Sequence, residues 1–186
     1  MSYDPFPDEF PNLWGDGLEL RELCEADLPA WFERASDPAA ADLAGDQVAT
    51  SMDAMIAGLA RHRAAFRERS GLRWAIVPDD LGASVGSVGF FRFGQTDRTA
   101  EIGISIGRAH WGRGIATRAM RIVSEYAFGP LELQSVEAVV VPENKPMLRI
   151  LKKLGFGNHP QPGRDRDPRA DAQLLTLVAG GADESR

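Results

Sequence analysis

Gly112 and Gly114 flank Arg113 where one sequence period gives way to another. Ahead of them Ile102, Ile104 and Ile106 alternate with Gly103, Ser105 and Gly107, the period of a strand. Behind them Ile115, Ala119, Ile122, Val123, Tyr126 and Ala127 recur at helical spacing as one apolar stripe. Strand, glycine loop and helix in that order aim backbone N–H groups and a positive helix end at one point, which suits phosphate oxygens. A side chain at 112 or 114 would hold a phosphate away from those amides. No Gly-Lys-Ser/Thr follows the loop and the G-x-G-x-x-G spacing is absent, so neither common nucleotide fingerprint applies.

The surrounding elements must position this loop. Residues 1–16, with Pro5, Pro7, Pro11 and Gly15, read as an irregular lead-in, and Leu18, Leu20 and Leu23 as a first strand. Asp27 is placed to cap a helix running to about Ala35, which Ser36-Asp37-Pro38 ends. Ser51 caps a longer helix with Met52, Met55, Ile56, Leu59 and Phe66 inward and Arg61, Arg63, Arg67 and Arg69 outward. Strands at 73–77 and 84–93 flank a hairpin-like turn at Pro78–Gly82, and Gln95–Arg98 turns the chain into strand 102–107. Helix 114–128 then leads to Val136–Val141, a β-branched run suited to a strand buried on both faces. Asn144 caps a helix to Leu154 that Gly155 stops, 158–170 is a loop, and 174–178 is a last strand. The crossover 102–141 makes its two strands parallel while the hairpins before it are antiparallel. The fold class is therefore α+β (mixed α/β): a single domain over 17–179 and a short tail at 180–186.

Composition bounds the function. A chain of 186 residues, 44% hydrophobic and 26% charged, suits one soluble globular domain. The net charge of −6 leaves no basic surplus for a nucleic-acid backbone. No apolar run reaches membrane-spanning length, and the acids and prolines at the N-terminus do not fit a signal peptide. With Cys24 alone no internal disulfide forms, and His62, His110 and His159 lack metal-ligand spacing. A cytoplasmic setting without a metal follows as the expectation. Cys24 reads as a small core hydrophobe rather than a nucleophile.

Two segments together, Arg108–Thr117 and Asn144-Lys145-Pro146-Met147 followed by Lys153-Leu154-Gly155-Phe156, resemble the GNAT superfamily of acyl-CoA N-acyltransferases. Within it, the opening Leu18-Glu19-Leu20-Arg21 with Asp27 looks like the RimJ/RimL branch of ribosomal-protein N-terminal acetyltransferases. The family loop begins with Gln or Arg where this chain has Trp111, a form usual in that branch. The resemblance implies a mostly antiparallel twisted sheet, a splayed parallel strand pair, and helices on both faces. It also implies acetyl-CoA as co-substrate, its diphosphate held by the backbone of Trp111, Gly112, Arg113, Gly114, Ile115, Ala116 and Thr117, with Arg113 free to add a charged contact. The pantetheine arm would pair with Ile104, Ser105 and Ile106, with Ser105 or Ile106 donating to the tetrahedral oxyanion.

The implied reaction is direct attack of a primary amine on the thioester, which requires a neutral amine and hence a proton acceptor. Glu101, acting through water, is the first candidate and His110 the second; an acid at a strand start also serves simply as a solvated end. Asn144 is both a helix cap and a candidate contact to the cofactor arm or a bound water. Where the branch carries a serine to protonate the thiolate this chain has Met147, and the helix 144–154 contains neither Ser nor Tyr. Trp111 reads mainly as a packing residue at the rim. The acceptor is a protein N-terminal amine or a small amine, and the chain a monomer or homodimer. Two alternatives stand beside this one: a catalytically weak domain that binds acyl-CoA as a sensor, and a nucleotide-binding protein of another class. Loop 158–170 is either a lid over the acceptor or a surface connection.

Overall fold

The computed structural model describes residues 6–44, 47–94, 98–158 and 172–179. The elements in chain order are β1 (Leu13–Gly15), β2 (Leu18–Glu22), α1 (Leu28–Ala35), α2 (Pro38–Ala44), α3 (Met52–Arg67), β3 (Gly71–Pro78), β4 (Gly86–Gly94), β5 (Thr99–Ile106), α4 (Ile115–Phe128), β6 (Ser135–Val140), α5 (Lys145–Lys153) and β7 (Gln173–Val178). Among the described residues seven strands form one sheet in sequence order, antiparallel throughout except for the parallel pair β5–β6. The expected α+β architecture is the one observed.

Strand alternation sorts the sheet's residues onto two faces. Leu20, Trp74, Val88, Phe90, Ile102 and Val136 pack on one face with Ile115, Ala119, Met120 and Val123 of α4. On the other, Leu23, Ala75 and Val77 pack with Leu59 of α3 and with Leu28 and Trp31 of α1. The sheet thus separates α4 from α1 and α3.

β5 and β6 are parallel partners only at Thr99↔Ser135, Ala100↔Val136 and Glu101↔Glu137. Beyond that point Ala138, Val139 and Val140 pair with β7 alone, and Ile102 to Ile106 pair with β4 alone. The two strands therefore part after three residues and leave a gap between them.

Several expectations need correction. The lead-in is not irregular throughout: β1 forms, Trp74 Nε1 donates to Pro11 O at 2.7 Å, and the Phe10 ring meets Trp74 edge-on. Asp27 does not cap α1 with its side chain; its carboxylate takes two 2.8 Å bonds from Arg21 and one from Cys24 N–H. Pro38 opens a new helix, α2, instead of only ending the last one, because a proline fits the first helical turn. In α3, Met55 and Leu59 are buried, but Met52 and Ile56 are 36% and 52% exposed. Met52 is the first helical residue, and Ile56 lies about 100° round the helix from Met55. The strand containing Glu101 begins earlier than expected, at Thr99, so Glu101 lies inside it. Loop 158–170, apart from its first residue, and the tail from 180 fall outside the described residues.

Gly89 shows how tightly β3 and β4 approach. A Cβ there would lie 2.1 Å from Leu72 O and 2.7 Å from Arg73 Cα, both backbone atoms. Gly89→Ala is expected to destabilise the fold by about 3 kcal/mol, read from the urea midpoint at constant m.

Candidate active site

The gap between β5 and β6 opens into a cavity of about 520 Å³. Its walls are Ile104, Ser105 and Ile106 of β5, the loop from His110 to Gly112 with Gly114, and the first turn of α4. Ala40, Leu43 and Ala44 of α2 close one side, and Asn144 with the α5 residues Pro146, Met147, Arg149, Ile150 and Lys153 another.

At the loop end, Gly112 and Gly114 have φ of +75° and +72°. In that left-handed conformation they turn successive N–H groups to one side. The amides of Gly112, Arg113 and Gly114 have no backbone acceptor among the described residues. Those of Ile115, Ala116 and Thr117 are first-turn donors, since the first bond closing the helix is Arg118 N–H to Gly114 O. Trp111 differs: its amide donates to Arg108 O at 3.1 Å, so the donor run starts at 112. A Cβ at Gly112 or Gly114 would meet nothing within 4 Å, so the space beside both is open. Donors, open space and a helix N-terminus together suit a diphosphate.

Along the strand, Gly107 N–H donates to Val85 O at 2.9 Å. Antiparallel alternation then turns the Ser105 and Gly103 amides toward β4, and those of Ile104 and Ile106 toward the gap. Of the two oxyanion donors considered, the ladder leaves Ile106 and engages Ser105. The Ile106 carbonyl accepts from Trp111 Nε1 at 2.8 Å, so the exposed Trp111 ring is pinned across the strand end.

Other expected residues turn elsewhere. Arg113 does not line the cavity; its guanidinium lies 3.4 Å from Asp80 and 3.3 Å from His110 Nδ1. Asn144 has both ends of its amide engaged: Oδ1 accepts from Met147 N–H at 3.1 Å, and Nδ2 donates to Leu43 O at 3.0 Å. It therefore caps α5 and ties α2 to the cavity wall. Asn144→Ala is expected to lower stability by about 1 kcal/mol in urea melts.

Glu101 is 7% exposed and does not line the cavity; Arg92 Nη1 holds it at 2.7 Å. Its partner across the parallel pair is Glu137, 1% exposed, so two acids stand side by side where the strands part. Glu137 is not singled out by the sequence, because a lone acid in an apolar run carries no motif. Arg149 also escapes the sequence pattern, and Lys153, although it opens the segment Lys153–Phe156, is given no role by it. They are four apart on α5 and so share the face that meets the cavity, a spacing legible once the cavity is known. Among the described residues no group of His, Cys, Asp and Glu is placed to hold a metal ion, and no helix is long and apolar enough to cross a membrane.

Comparison with known proteins agrees with this geometry. Residues 17–157 match the family model described as acetyltransferase (GNAT) domain. YoaA of Bacillus subtilis (strain 168), described as an uncharacterized N-acetyltransferase, is 33% identical over 147 residues, covering 79% of this chain and 83% of YoaA. Mycobacterium smegmatis RimJ in complex with CoA-disulfide superposes with a TM-score of 0.78 at 24% identity, covering 97% of this chain and 92% of that one. Spermidine N-acetyltransferase from Vibrio cholerae in complex with CoA and spermine gives 0.74 at 19% identity, covering 90% and 99%. Family model, relative and fold agree: the chain belongs to the GNAT acetyltransferases, a family of enzymes that use acetyl-CoA.

Proposed function

We propose that this domain transfers the acetyl group of acetyl-CoA to a primary amine, on a protein N-terminus or a small molecule, by direct attack on the thioester. The observation that carries the reading is the parting of β5 from β6 after Glu101 and Glu137. It turns the Ile104 and Ile106 backbone into a cavity continuous with the free amides of 112–117. An acyl-pantetheine arm in that gap pairs with β5 as an added strand, while its diphosphate meets the loop. Arg149 and Lys153 supply positive charge at the cavity wall.

We assign the chain's groups the following roles. Glu101, reached through water, takes the proton that the ammonium must lose before its nitrogen attacks. The Ile106 N–H donates to the oxygen that becomes anionic as the carbon turns tetrahedral. The carbon–sulfur bond then breaks, the nitrogen gives up its second proton to solvent, and the thiolate takes one from solvent. The side chain on the cavity wall at the thiol-acid position is Met147, which has none to give. His110, beside the loop, is the second candidate for the base.

Met147 also favours a second reading, a domain that binds acyl-CoA and turns over slowly as a sensor. Thiol release measured over a panel of peptides and small amines separates the two. Multiple turnovers with an amine support the transferase. Tight acetyl-CoA binding with only a slow single turnover on every amine supports the sensor. A cytoplasmic setting and a monomeric or dimeric state complete the proposal.

A further inference from the structure

Arg34 is the least expected charge in the molecule. It projects from α1 onto the α1/α3 face of the sheet and is 6% exposed. Its Nε donates to Ser105 Oγ at 3.0 Å, and its Nη1 lies 3.5 Å from Ala30 O. Among the described residues no carboxylate comes within ion-pairing distance of it. A buried guanidinium without a counter-charge is costly and normally avoided. Burial, then the nearby Arg73 cation, pulls its pKa down to about 10, against a smaller upward pull from the Asp27 charge.

Arg73 converges on the same spot from β3. Its guanidinium donates to Ser87 Oγ at 3.0 Å and to Gly103 O at 3.2 Å. Burial first, then Arg73 and Arg61, hold the imidazole of His62 neutral, with a pKa of about 4. Among the acids of this face, Asp27 pairs with Arg21, Glu101 with Arg92 and Asp37 with Arg108.

Arg34 also lines a second open cavity of about 740 Å³, formed by the end of α1, Ser84, Val85 and the segment from Gly107 to His110. Asp37 and the exposed Glu33 are the acids lining it. Ser105, which Arg34 grips, lines the first cavity. The guanidinium thus stands between an opening to solvent and the strand where the thioester would lie, on the sheet face opposite α4.

Resting on the transferase reading above, we infer that the acceptor is an amine bearing a carboxylate, which docks on the Arg34 guanidinium with Arg73 behind it. The class is that of free amino acids and acidic peptides, in contrast to the spermine bound in the Vibrio cholerae structure. A carboxylate supplies the direct ion pair that Arg34 lacks among the described residues and accepts two parallel N–H bonds from a guanidinium.

The test uses matched pairs of amines: free amino acids against their amides, Glu-initiated peptides against Gln-initiated ones, and spermidine. Each is assayed for thiol release, with the acetyl-CoA Kd measured by calorimetry. The wild-type protein is expected to favour the carboxylate member of at least one pair by about 30-fold or more in kcat/KM. Arg34→Gln is expected to abolish that preference through KM, Arg34→Lys to restore part of it, and both to leave the acetyl-CoA Kd unchanged. Comparable rates for acids and amides, a preference for spermidine, or a preference surviving Arg34→Gln overturns the inference, as does a protein that binds acetyl-CoA yet turns over no carboxylate-bearing amine. A changed acetyl-CoA Kd in Arg34→Gln assigns the cation to a cofactor phosphate and overturns it too. Failure of the wild type to bind acetyl-CoA overturns the transferase reading instead.

Discussion

Replacing Gly114 with valine is expected to weaken acetyl-CoA binding on the order of 100-fold or more, while the protein stays folded. Gly114 has a φ of +72° and opens α4, with nothing within 4 Å of the place a Cβ would take. The protein loses no packing from the added side chain, and only the left-handed backbone resists it, at about 1–2 kcal/mol. The ligand is affected more. A branched side chain fills the space in front of the amides of 112–117, and each charge-assisted bond lost there is worth about 1.5–3 kcal/mol. Gly82 provides a matched control, with a φ of +62° and equally open surroundings in the turn after β3. Gly82→Val is expected to share the stability loss and keep the affinity, as read by calorimetry and urea melts on both variants.

Glu101→Gln is expected to lower kcat by about 100-fold, within the range general bases contribute, and to leave the acetyl-CoA Kd unchanged. Glutamine keeps an acceptor for Arg92, which holds the carboxylate at 2.7 Å, so the ion pair becomes a hydrogen bond from the cation to a neutral amide oxygen and the strand remains in place. Glu137→Gln separates proton transfer from position. It alters the neighbouring acid at the strand parting without touching Glu101. A rate unchanged in Glu101→Gln removes Glu101 from the mechanism and returns the role to His110.

The glycine loop and its flanking elements are legible in the sequence because each carries a local signal. The isoleucines 102, 104 and 106 mark a strand, Gly112 and Gly114 a turn of positive φ, and the stripe from Ile115 a helix. Asn144 is legible as a cap for the same reason, and its side chain accepts from Met147 N–H as a cap should. What escapes the sequence depends on contacts distant in the chain. The second use of Asn144, its bond to Leu43 O, joins positions 101 residues apart. Arg34 meets Ser105 across 71 residues, and nothing near Arg34 in the chain marks it as buried. Asp27 fits a cap by type and place, yet Arg21 and the Cys24 amide compete successfully for its carboxylate. Ser105 and Ile106 are equivalent donors by sequence; only the strand register decides which amide faces the gap.

The most direct test observes the backbone amides themselves. In a nitrogen-15 amide spectrum titrated with CoA, the signals of Gly112, Gly114, Ala116, Ile104 and Ile106 are expected to shift downfield as their N–H groups take up acceptors. Those of Ser105 and Gly103, already bonded to β4, should move little. Saturation with unchanged signals at 112–116, or equal shifts there with ATP and NAD, would contradict the account.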